Sequence, residues 1–230
     1  MSSLYERAHH RRIESVLRAL NAGLLTSHEC YFGGGTAIAL MHGEYRESND
    51  VDFLVSARSG YRELRQAVRA AGLNALTDVP LTIAREATAD QYGIRGAFEV
   101  DGTPIKFEIV SEGRMELERP GPDRTVAGIT TLSPLDTVAS KLLANDDRWA
   151  DRRVYSRDVI DLAMLAPGAD LLHAGLRKAE TAYGSTVLRT LHDAVDLVVG
   201  NDDHRDRCRT ALQMDVPDDE LVARLLKLRI

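Results

Sequence analysis

The sequence predicts an α+β protein in which a mixed β-sheet with flanking helices is followed by a C-terminal helical bundle. Two observations predict this class. Strand, glycine-turn and helix patterns alternate up to about residue 130, and after residue 132 only helical patterns occur. We therefore expect an α/β domain over residues 1–131 and a helical domain over residues 132–230. A chain of 230 residues is long enough to form both and to bury a core without disulfides.

The composition is that of an ordinary folded protein, with 44% hydrophobic and 28% charged residues, which argues against disorder. The net charge of −6 excludes a wholly basic surface but is compatible with a local basic patch. Cys30 and Cys208 give no disulfide framework, and His9-His10 and His28-x-Cys30 lack the further ligands that a transition-metal site needs. The charged N-terminus and the lack of a long apolar run predict no signal peptide, no membrane span and a cytoplasmic location.

Apolar spacing and turn residues define the elements of the first half. Thr36 follows three glycines and is expected to cap the N-terminus of a short helix. Asp101 and Gly102 are a strong hairpin signal between two apolar runs. The expected elements are a helix over 4–22, a strand over 29–32, a helix over 37–42, a strand over 51–55, a helix over 61–71 and a hairpin of strands 92–100 and 104–110.

The second half contains helical patterns only. Ser133, Pro134 and Asp136 form a good helix start, because serine caps, proline fits the first position and the acid complements the helix dipole. A second helix over 157–166 ends at a Pro-Gly pair, and apolar spacing predicts a third over 187–199. A last helix is expected near the C-terminus.

The densest chemical signal lies between residues 31 and 55. Asp50 and Asp52 alternate with apolar residues on a predicted strand, so both carboxylates point to the same face. Two neighbouring carboxylates repel one another unless a cation lies between them, and oxygen ligands favour Mg²⁺. Gly34 and Gly35 precede a helix, where they let the backbone approach an anion and direct N–H groups at it. Together these features predict a magnesium-dependent nucleotide site.

Glu108 lies inside an apolar strand pattern, where a carboxylate is unfavourable unless it is paired or bound to metal. We expect it beside Asp50 and Asp52 as the third ligand of a two-metal site. An ion pair between Glu108 and a nearby arginine is the alternative.

The helical half contains a second group of charged residues. Lys141 flanks an apolar helix stripe, where it can face a cleft. Asp158 and Asp161 lie three residues apart on one helix face. The alternatives are an exposed lysine and aspartates that are solvated or paired with an arginine.

The chain resembles the AbiEii/AbiGii-type nucleotidyltransferase toxins, which include the MenT toxins and belong to the DNA polymerase β-like superfamily. The resemblance runs from about residue 30 to about residue 165 and rests on four motifs in order. These are Gly33-Gly34-Gly35-Thr36-Ala37, Arg46-x-Ser48-x-Asp50-Val51-Asp52, Lys141 and Arg157-Asp158-x-x-Asp161-Leu162. The family's glycine motif is often Gly-Ser or Gly-Gly, whereas Gly35-Thr36 stands here, so the residue in the place of the phosphate-contacting serine stays open.

The resemblance implies a minimal nucleotidyltransferase fold that transfers a nucleoside monophosphate from an NTP to an acceptor hydroxyl and releases pyrophosphate. It implies that Asp50 and Asp52 bind Mg²⁺. It also implies that Lys141 contacts the triphosphate and that Asp158 is a carboxylate required for activity, with Asp161 as the alternative. The expected phosphate-binding residues are Gly34, Gly35, Thr36, Arg46, Ser48 and Lys141.

The acceptor has three alternatives. The favoured one is a toxin that adds nucleotides to the tRNA 3′ end and is restrained by a partner antitoxin. Four arginines at steps of four, three and four lie along one predicted helix face, which either binds a phosphate backbone or is an ordinary solvated face; they are Arg58, Arg62, Arg65 and Arg69. The second alternative is a small-molecule nucleotidyltransferase similar to the aminoglycoside-modifying enzymes. The third, a binding module without activity, is disfavoured by the intact aspartate pair and lysine.

Overall fold

The structure is a computed structural model that describes residues 3–230. The chain folds into two compact units. The first contains residues 3–40 and 48–133, and the second contains Met41–Glu47 and Pro134–Ile230. The segment Met41–Glu47 therefore packs with the helical half, although in sequence it lies between two parts of the first unit. The two expected domains, residues 1–131 and 132–230, do not include this placement of Met41–Glu47 with the helical half.

The first unit is built on a five-stranded mixed sheet. Its strands are β1 (Cys30–Gly33), β2 (Asp50–Val55), β3 (Thr82–Ala89), β4 (Gly93–Val100) and β5 (Thr103–Ser111), and a separate two-stranded ladder consists of β6 (Thr125–Val126) and β7 (Ile129–Thr130). The order across the sheet is β1-β2-β5-β4-β3. β2 and β5 are parallel, and the other neighbouring pairs are antiparallel.

Four helices belong to this part of the chain, and each has a clear local cause. They are α1 (Ala8–Ala19), α2 (Ala22–Ser27), α3 (Gly34–Met41) and α4 (Arg58–Ala71). The expected helix over 4–22 is interrupted after α1, because the Asn21 side chain accepts a hydrogen bond from the Leu24 N–H and so begins α2. α3 begins at Gly34, so Thr36 lies in its first turn and is not the N-cap that the sequence predicts.

An aromatic row crosses the core of the sheet. The Phe32 and Phe53 ring centroids are 5.5 Å apart, those of Phe53 and Phe107 are 5.6 Å apart, and those of Phe98 and Phe107 are 5.4 Å apart. These rings come from four strands, and offset or edge-to-face contacts of this kind add to the stability that burial provides. Because side chains alternate along a strand, burying Phe53 turns its neighbour Asp52 to the other face.

The predicted hairpin is confirmed by β4 and β5. Asp101 and Gly102 connect them with φ angles of 50° and 71°, the left-handed values that a type I′ turn requires. The strand β3 is not predicted from the sequence. Most side chains of this strand are exposed at the edge of the sheet, so its sequence lacks the apolar alternation that marks a half-buried strand.

The second unit is a bundle of six helices. They are α5 (Pro134–Arg148), α6 (Arg157–Leu165), α7 (Ala169–Tyr183), α8 (Thr186–Val199), α9 (Asp202–Ala211) and α10 (Asp218–Leu226). α5 packs against α6, α7 and α8 and forms the centre of the bundle. The helices α7 and α9 are not predicted from the sequence. The polar sequence of α9 has little of the apolar periodicity that marks a helix. The sheet followed by a bundle confirms the α+β class.

Across residues 3–230 no helix is both long enough and apolar enough to cross a lipid bilayer.

Candidate active site

β2 presents Asp50 and Asp52 on one face of the first unit's sheet. Val51 and Phe53 are buried, whereas both aspartates are partly exposed, as strand alternation requires. Asp50 Oδ1 lies 3.5 Å from Lys106 Nζ and receives no hydrogen bond from any residue in the described range. This oxygen is buried, and the Lys106 ammonium is the positive charge beside it.

α3 begins directly beside the Asp52 carboxylate. Gly34 has a φ of +69°, and a Cβ atom there would lie 2.7 Å from Asp52 Oδ2. Any other residue at this position is strained and displaces the carboxylate. The first N–H groups of a helix have no intrahelical acceptor and favour anions. The glycine turn and the aspartate pair therefore form one site, with a helix start suited to phosphate next to carboxylates suited to a cation.

Thr36 joins α3 to the start of β2. Its Oγ1 lies 2.5 Å from the Asp50 carbonyl oxygen and 2.8 Å from Ser48 Oγ. Because a carbonyl oxygen only accepts, Thr36 donates to Asp50, and its hydroxyl also points at Ser48 Oγ, which accepts. Thr36 is fully buried. Thr36 is thus used in internal hydrogen bonds that fix the segment before β2, which does not fit its predicted phosphate contact. Ser48 Oγ accepts and keeps its own proton, so its phosphate contact stays a prediction.

Glu108 lies opposite Asp52 on the neighbouring parallel strand β5. Its Oε1 is 2.6 Å from Nε of Arg95, the residue paired with it on β4. The ion pair, the alternative left open by the sequence, is therefore the arrangement observed. In the part of the chain that the structure describes, no three His, Cys, Asp or Glu side chains are grouped closely enough to hold a metal ion. The structure thus does not support Glu108 as a third ligand.

In the second unit, Lys141 lies in a buried cluster of charges. Its Nζ is 3.0 Å from Asp158 Oδ1 and 2.6 Å from Asp161 Oδ2. Arg148 also binds Asp158, with Nε 2.7 Å from Oδ2 and Nη2 3.0 Å from Oδ1. Lys141 and Asp158 are therefore in direct contact. Lys141 is only 5% exposed, so the alternative of an exposed helix lysine is wrong.

Arg46 and Tyr45 complete the cluster through Asp161. The Tyr45 hydroxyl donates to Asp161 Oδ1 at 2.6 Å. Arg46 donates from Nε to Oδ1 and from Nη2 to Oδ2, and its Nη1 donates to the Glu47 carbonyl oxygen. Arg46 is 4% exposed. The guanidinium of Arg46 is buried in the second unit, where its donors bind Asp161 and the Glu47 carbonyl oxygen. The predicted phosphate contact of Arg46 therefore does not fit the structure.

The charges in this cluster change the pKa values of its members. Burial alone raises the pKa of Asp158, but Lys141 and Arg148 outweigh it and hold that pKa well below its ordinary value. Burial likewise opposes ionisation of Asp161, and Arg46 and Lys141 again lower its pKa. Burial and the negative charge of Asp161 raise the pKa of Tyr45, which stays protonated as a donor. Both aspartates are therefore ionised at neutral pH.

The cluster contains one more cation than carboxylate. Asp158 has a bidentate pair with Arg148, and Asp161 has a bidentate pair with Arg46. Lys141 contacts both carboxylates and adds a third positive charge. The side chain of Arg148 is 37% exposed and the negative charge of Asp147 also acts on it, so the excess is shared with solvent and with that neighbour. Neither Tyr45, which directly precedes Arg46, nor Arg148, which lies on the same helix as Lys141, was predicted from the sequence, because nothing local shows that their side chains reach α6.

The arginines of α4 do not share one environment. Arg65 Nη1 donates to the Asp90 carbonyl oxygen, and Arg69 donates from Nε and Nη2 to that of Ala89, at the end of β3. Arg58 and Arg62 are exposed. The predicted arginine face therefore divides into two residues that bind backbone carbonyls and two that are directed to solvent.

Two solved structures of low sequence identity share the fold. JHP933 of Helicobacter pylori has a TM-score of 0.55 and 15% identity, over 98% of this chain and 94% of that one. A candidate nucleotidyltransferase of H. pylori has a TM-score of 0.52 and 17% identity, over 98% and 96%. MenT4, a nucleotidyltransferase toxin of Mycobacterium tuberculosis H37Rv, has a TM-score of 0.45 and 17% identity, over 97% and 84%. No curated protein matches the chain.

The family model described as the nucleotidyl transferase AbiEii toxin of a type IV toxin–antitoxin system matches residues 16–226. This range contains the glycine turn, the aspartate pair of β2 and the charged cluster of the second unit. The chain therefore belongs to the AbiEii family and is a nucleotidyltransferase toxin of the type IV toxin–antitoxin class.

Proposed function

We propose that this protein transfers a nucleoside monophosphate from an NTP to the 3′ end of tRNA, with Mg²⁺ held by Asp50 and Asp52, and that a cognate antitoxin restrains it. The bond between the α-phosphorus and the bridging oxygen breaks, the acceptor oxygen takes its place, and pyrophosphate leaves. The observation that carries the proposal is the aspartate pair of β2 beside the glycine turn of α3, where Gly34 closely approaches Asp52.

The donor atoms available on β2 fit magnesium. Asp50 and Asp52 supply oxygen ligands only. Mg²⁺ in nucleotide enzymes is held by one or two carboxylates together with substrate phosphates, so two protein ligands are sufficient. Bound there, the ion neutralises the negative charge that builds up on the phosphates during transfer.

Two groups of this chain provide contacts for the triphosphate. The first turn of α3, at Gly34 and Gly35, offers backbone N–H groups to phosphate oxygens. Lys141, in the second unit, is proposed separately as a phosphate contact, because an ammonium on a flexible stem suits a phosphate as a point charge. Phosphoryl transfer depends mainly on positioning and on such charge compensation. Asp158 holds the ammonium of Lys141 and is a positioning residue.

A tRNA acceptor needs a surface that binds a phosphate backbone. The exposed guanidinium groups of Arg58 and Arg62 on α4 supply positive charge for this purpose. A small-molecule acceptor needs no such surface, so the two acceptor classes differ in their dependence on these arginines.

The test is transfer of radiolabel from each of the four α-³²P-labelled NTPs, with MgCl₂ or with EDTA, to total tRNA or to a panel of aminoglycosides. We expect labelled tRNA only with Mg²⁺, and a loss of at least about a hundredfold in Asp52→Asn. Asp123→Asn, at an exposed position of the same unit, is the matched control and stays active. Full activity of a folded Asp52→Asn protein contradicts the proposed site, and labelled aminoglycoside without labelled tRNA contradicts the proposed acceptor.

A further inference from the structure

We propose that His10 positions the proposed magnesium ligand Asp50 by accepting a hydrogen bond from the backbone just before it, and that it does so as the neutral tautomer with its proton on Nδ1. The inference rests on the proposed function of Asp50 and Asp52. It adds a residue of α1, outside the four motifs of the family resemblance, to the machinery of the site.

The contact is formed inside the first unit. His10 is fully buried on α1, and the Ser48 backbone N–H donates to its Nε2 at 3.1 Å. A backbone N–H can only donate, so Nε2 carries no proton and acts as the acceptor. A neutral imidazole with an accepting Nε2 has its proton on Nδ1.

The neighbouring His9 binds the backbone of the next residue, Asn49, with the donor and acceptor roles reversed. His9 Nε2 lies 3.2 Å from the Asn49 carbonyl oxygen. A carbonyl oxygen only accepts, so Nε2 of His9 is the donor in this contact. Two adjacent histidines of α1 thus bind two adjacent backbone groups, one as acceptor and one as donor.

These contacts are needed because the sheet holds the start of β2 on one side only. β1 pairs with residues 52–55 of β2, so Asp50 and Val51 have a strand partner only in β5. Ser48 and Asn49 precede the strand. Side chains of α1 and α3 supply the remaining anchors, through His10 at Ser48 and through Thr36 at the Asp50 carbonyl. The direction of the Asp50 carboxylate therefore depends on α1 as well as on the sheet.

The tautomer can be measured on the unaltered protein. Long-range ¹H–¹⁵N correlation spectra of the ¹⁵N-labelled chain distinguish a protonated from an unprotonated Nε2, and the His10→Gln spectrum identifies the His10 signals by their loss. We expect an unprotonated Nε2 and a protonated Nδ1 at neutral pH. A protonated Nε2 on His10 overturns the inference whatever the variants do.

The consequence for catalysis is tested with two substitutions at the same position. His10→Leu removes the acceptor, and we expect kcat to fall by about tenfold to a hundredfold through displacement of Asp50. His10→Gln places an amide oxygen near the position of Nε2 and is expected to restore most of the loss. His173→Leu, an exposed histidine of α7, is the matched control. If His10 has only a structural role, both substitutions lower the thermal midpoint, and His10→Leu and His10→Gln have the same kcat.

The outcomes separate this inference from the proposed function. If Asp52→Asn retains full transfer activity, the proposed site is wrong. If Asp52→Asn is inactive while folded His10→Leu transfers label at the wild-type rate, the site stands and the role of His10 is overturned. Loss of activity in His10→Leu with rescue in His10→Gln supports it.

Discussion

Arg46 binds Asp161 through two parallel hydrogen bonds, from Nε to Oδ1 at 2.7 Å and from Nη2 to Oδ2 at 2.9 Å, although the two residues are 115 positions apart in sequence. Both side chains are buried. This pair attaches the segment Met41–Glu47 to the bundle of the second unit. A residue of the motif that contains Asp50 and Asp52 therefore has a structural role in the helical half.

Replacing Arg46 by Met is expected to lower the free energy of unfolding by about 3–5 kcal/mol, because it removes two charge-assisted hydrogen bonds from a buried carboxylate. Urea unfolding followed by circular dichroism measures the change. Arg58→Met on the exposed face of α4 is the control, with a change within about 0.5 kcal/mol. Equal stability of the two variants contradicts the structural role of Arg46.

Replacing Lys141 by Met is expected to abolish label transfer and to lower stability less than Arg46→Met does. Each carboxylate that Lys141 contacts retains its own bidentate arginine, so the destabilisation is about 1–3 kcal/mol. Because Lys141 is buried, some loss of stability accompanies the loss of transfer. The checks are the transfer assay and urea unfolding, with Lys227→Met on the exposed side of α10 as control. Wild-type transfer by folded Lys141→Met contradicts the phosphate role.

The parts of the fold that could be predicted from sequence are those with local signals. The hairpin turn at Asp101-Gly102 and the start of α5 at Ser133-Pro134 depend on residues within a few positions of one another. The alternation around Asp50 and Asp52 is equally local. Edge strand β3 and polar helix α9 have little apolar periodicity, because few of their side chains enter a core.

The partners of the charged residues could not be predicted, because they are remote in sequence. Glu108 was expected to bind metal, and only the antiparallel register of β4 and β5 shows that Arg95 faces it. The sequence likewise places Arg46 beside Ser48, and nothing local indicates that its guanidinium binds α6. Residue type predicted which groups carry charge, but the packing decides whether each charge is available to a ligand.

Replacing Gly34 by Ala is expected to reduce transfer at least about tenfold, because the added Cβ overlaps the Asp52 carboxylate and the positive φ is strained. Gly102→Ala in the hairpin turn has a similar positive φ, but a Cβ there meets nothing within 4 Å. Both variants therefore lose about 1–2 kcal/mol of stability from backbone strain, whereas only Gly34→Ala loses activity. The transfer assay and thermal unfolding separate the two effects. Equal activity of the two variants contradicts the close approach of α3 to Asp52.

Stability is expected to fall as the pH drops below about 5, because the pKa of Asp158 is lower in the folded protein than its ordinary value of 3.8. The unfolded chain then binds more protons than the folded one, so acid favours unfolding. Asp158→Asn removes one of these groups, and its thermal midpoint changes less between pH 5 and pH 2.5 than that of the wild type. Asp123→Asn, at an exposed position of the first unit, is the control. If the thermal midpoint of Asp158→Asn changes between pH 5 and pH 2.5 as much as that of the wild type, the lowered pKa of Asp158 is contradicted.

The exposed arginines of α4 test the proposed RNA acceptor. If Arg58 and Arg62 bind the tRNA backbone, changing both to Glu weakens tRNA binding and reduces the slope of log K against log salt by about one unit per lost phosphate contact. The double variant Arg177→Glu and Arg207→Glu changes the net charge equally at exposed positions of the second unit and is expected to keep the wild-type slope. Filter binding of total tRNA between 50 and 300 mM NaCl measures the slopes, and NTP binding by calorimetry checks that the nucleotide site is intact. Identical slopes for wild type and the α4 variant return these arginines to an ordinary solvated face and favour an acceptor other than RNA.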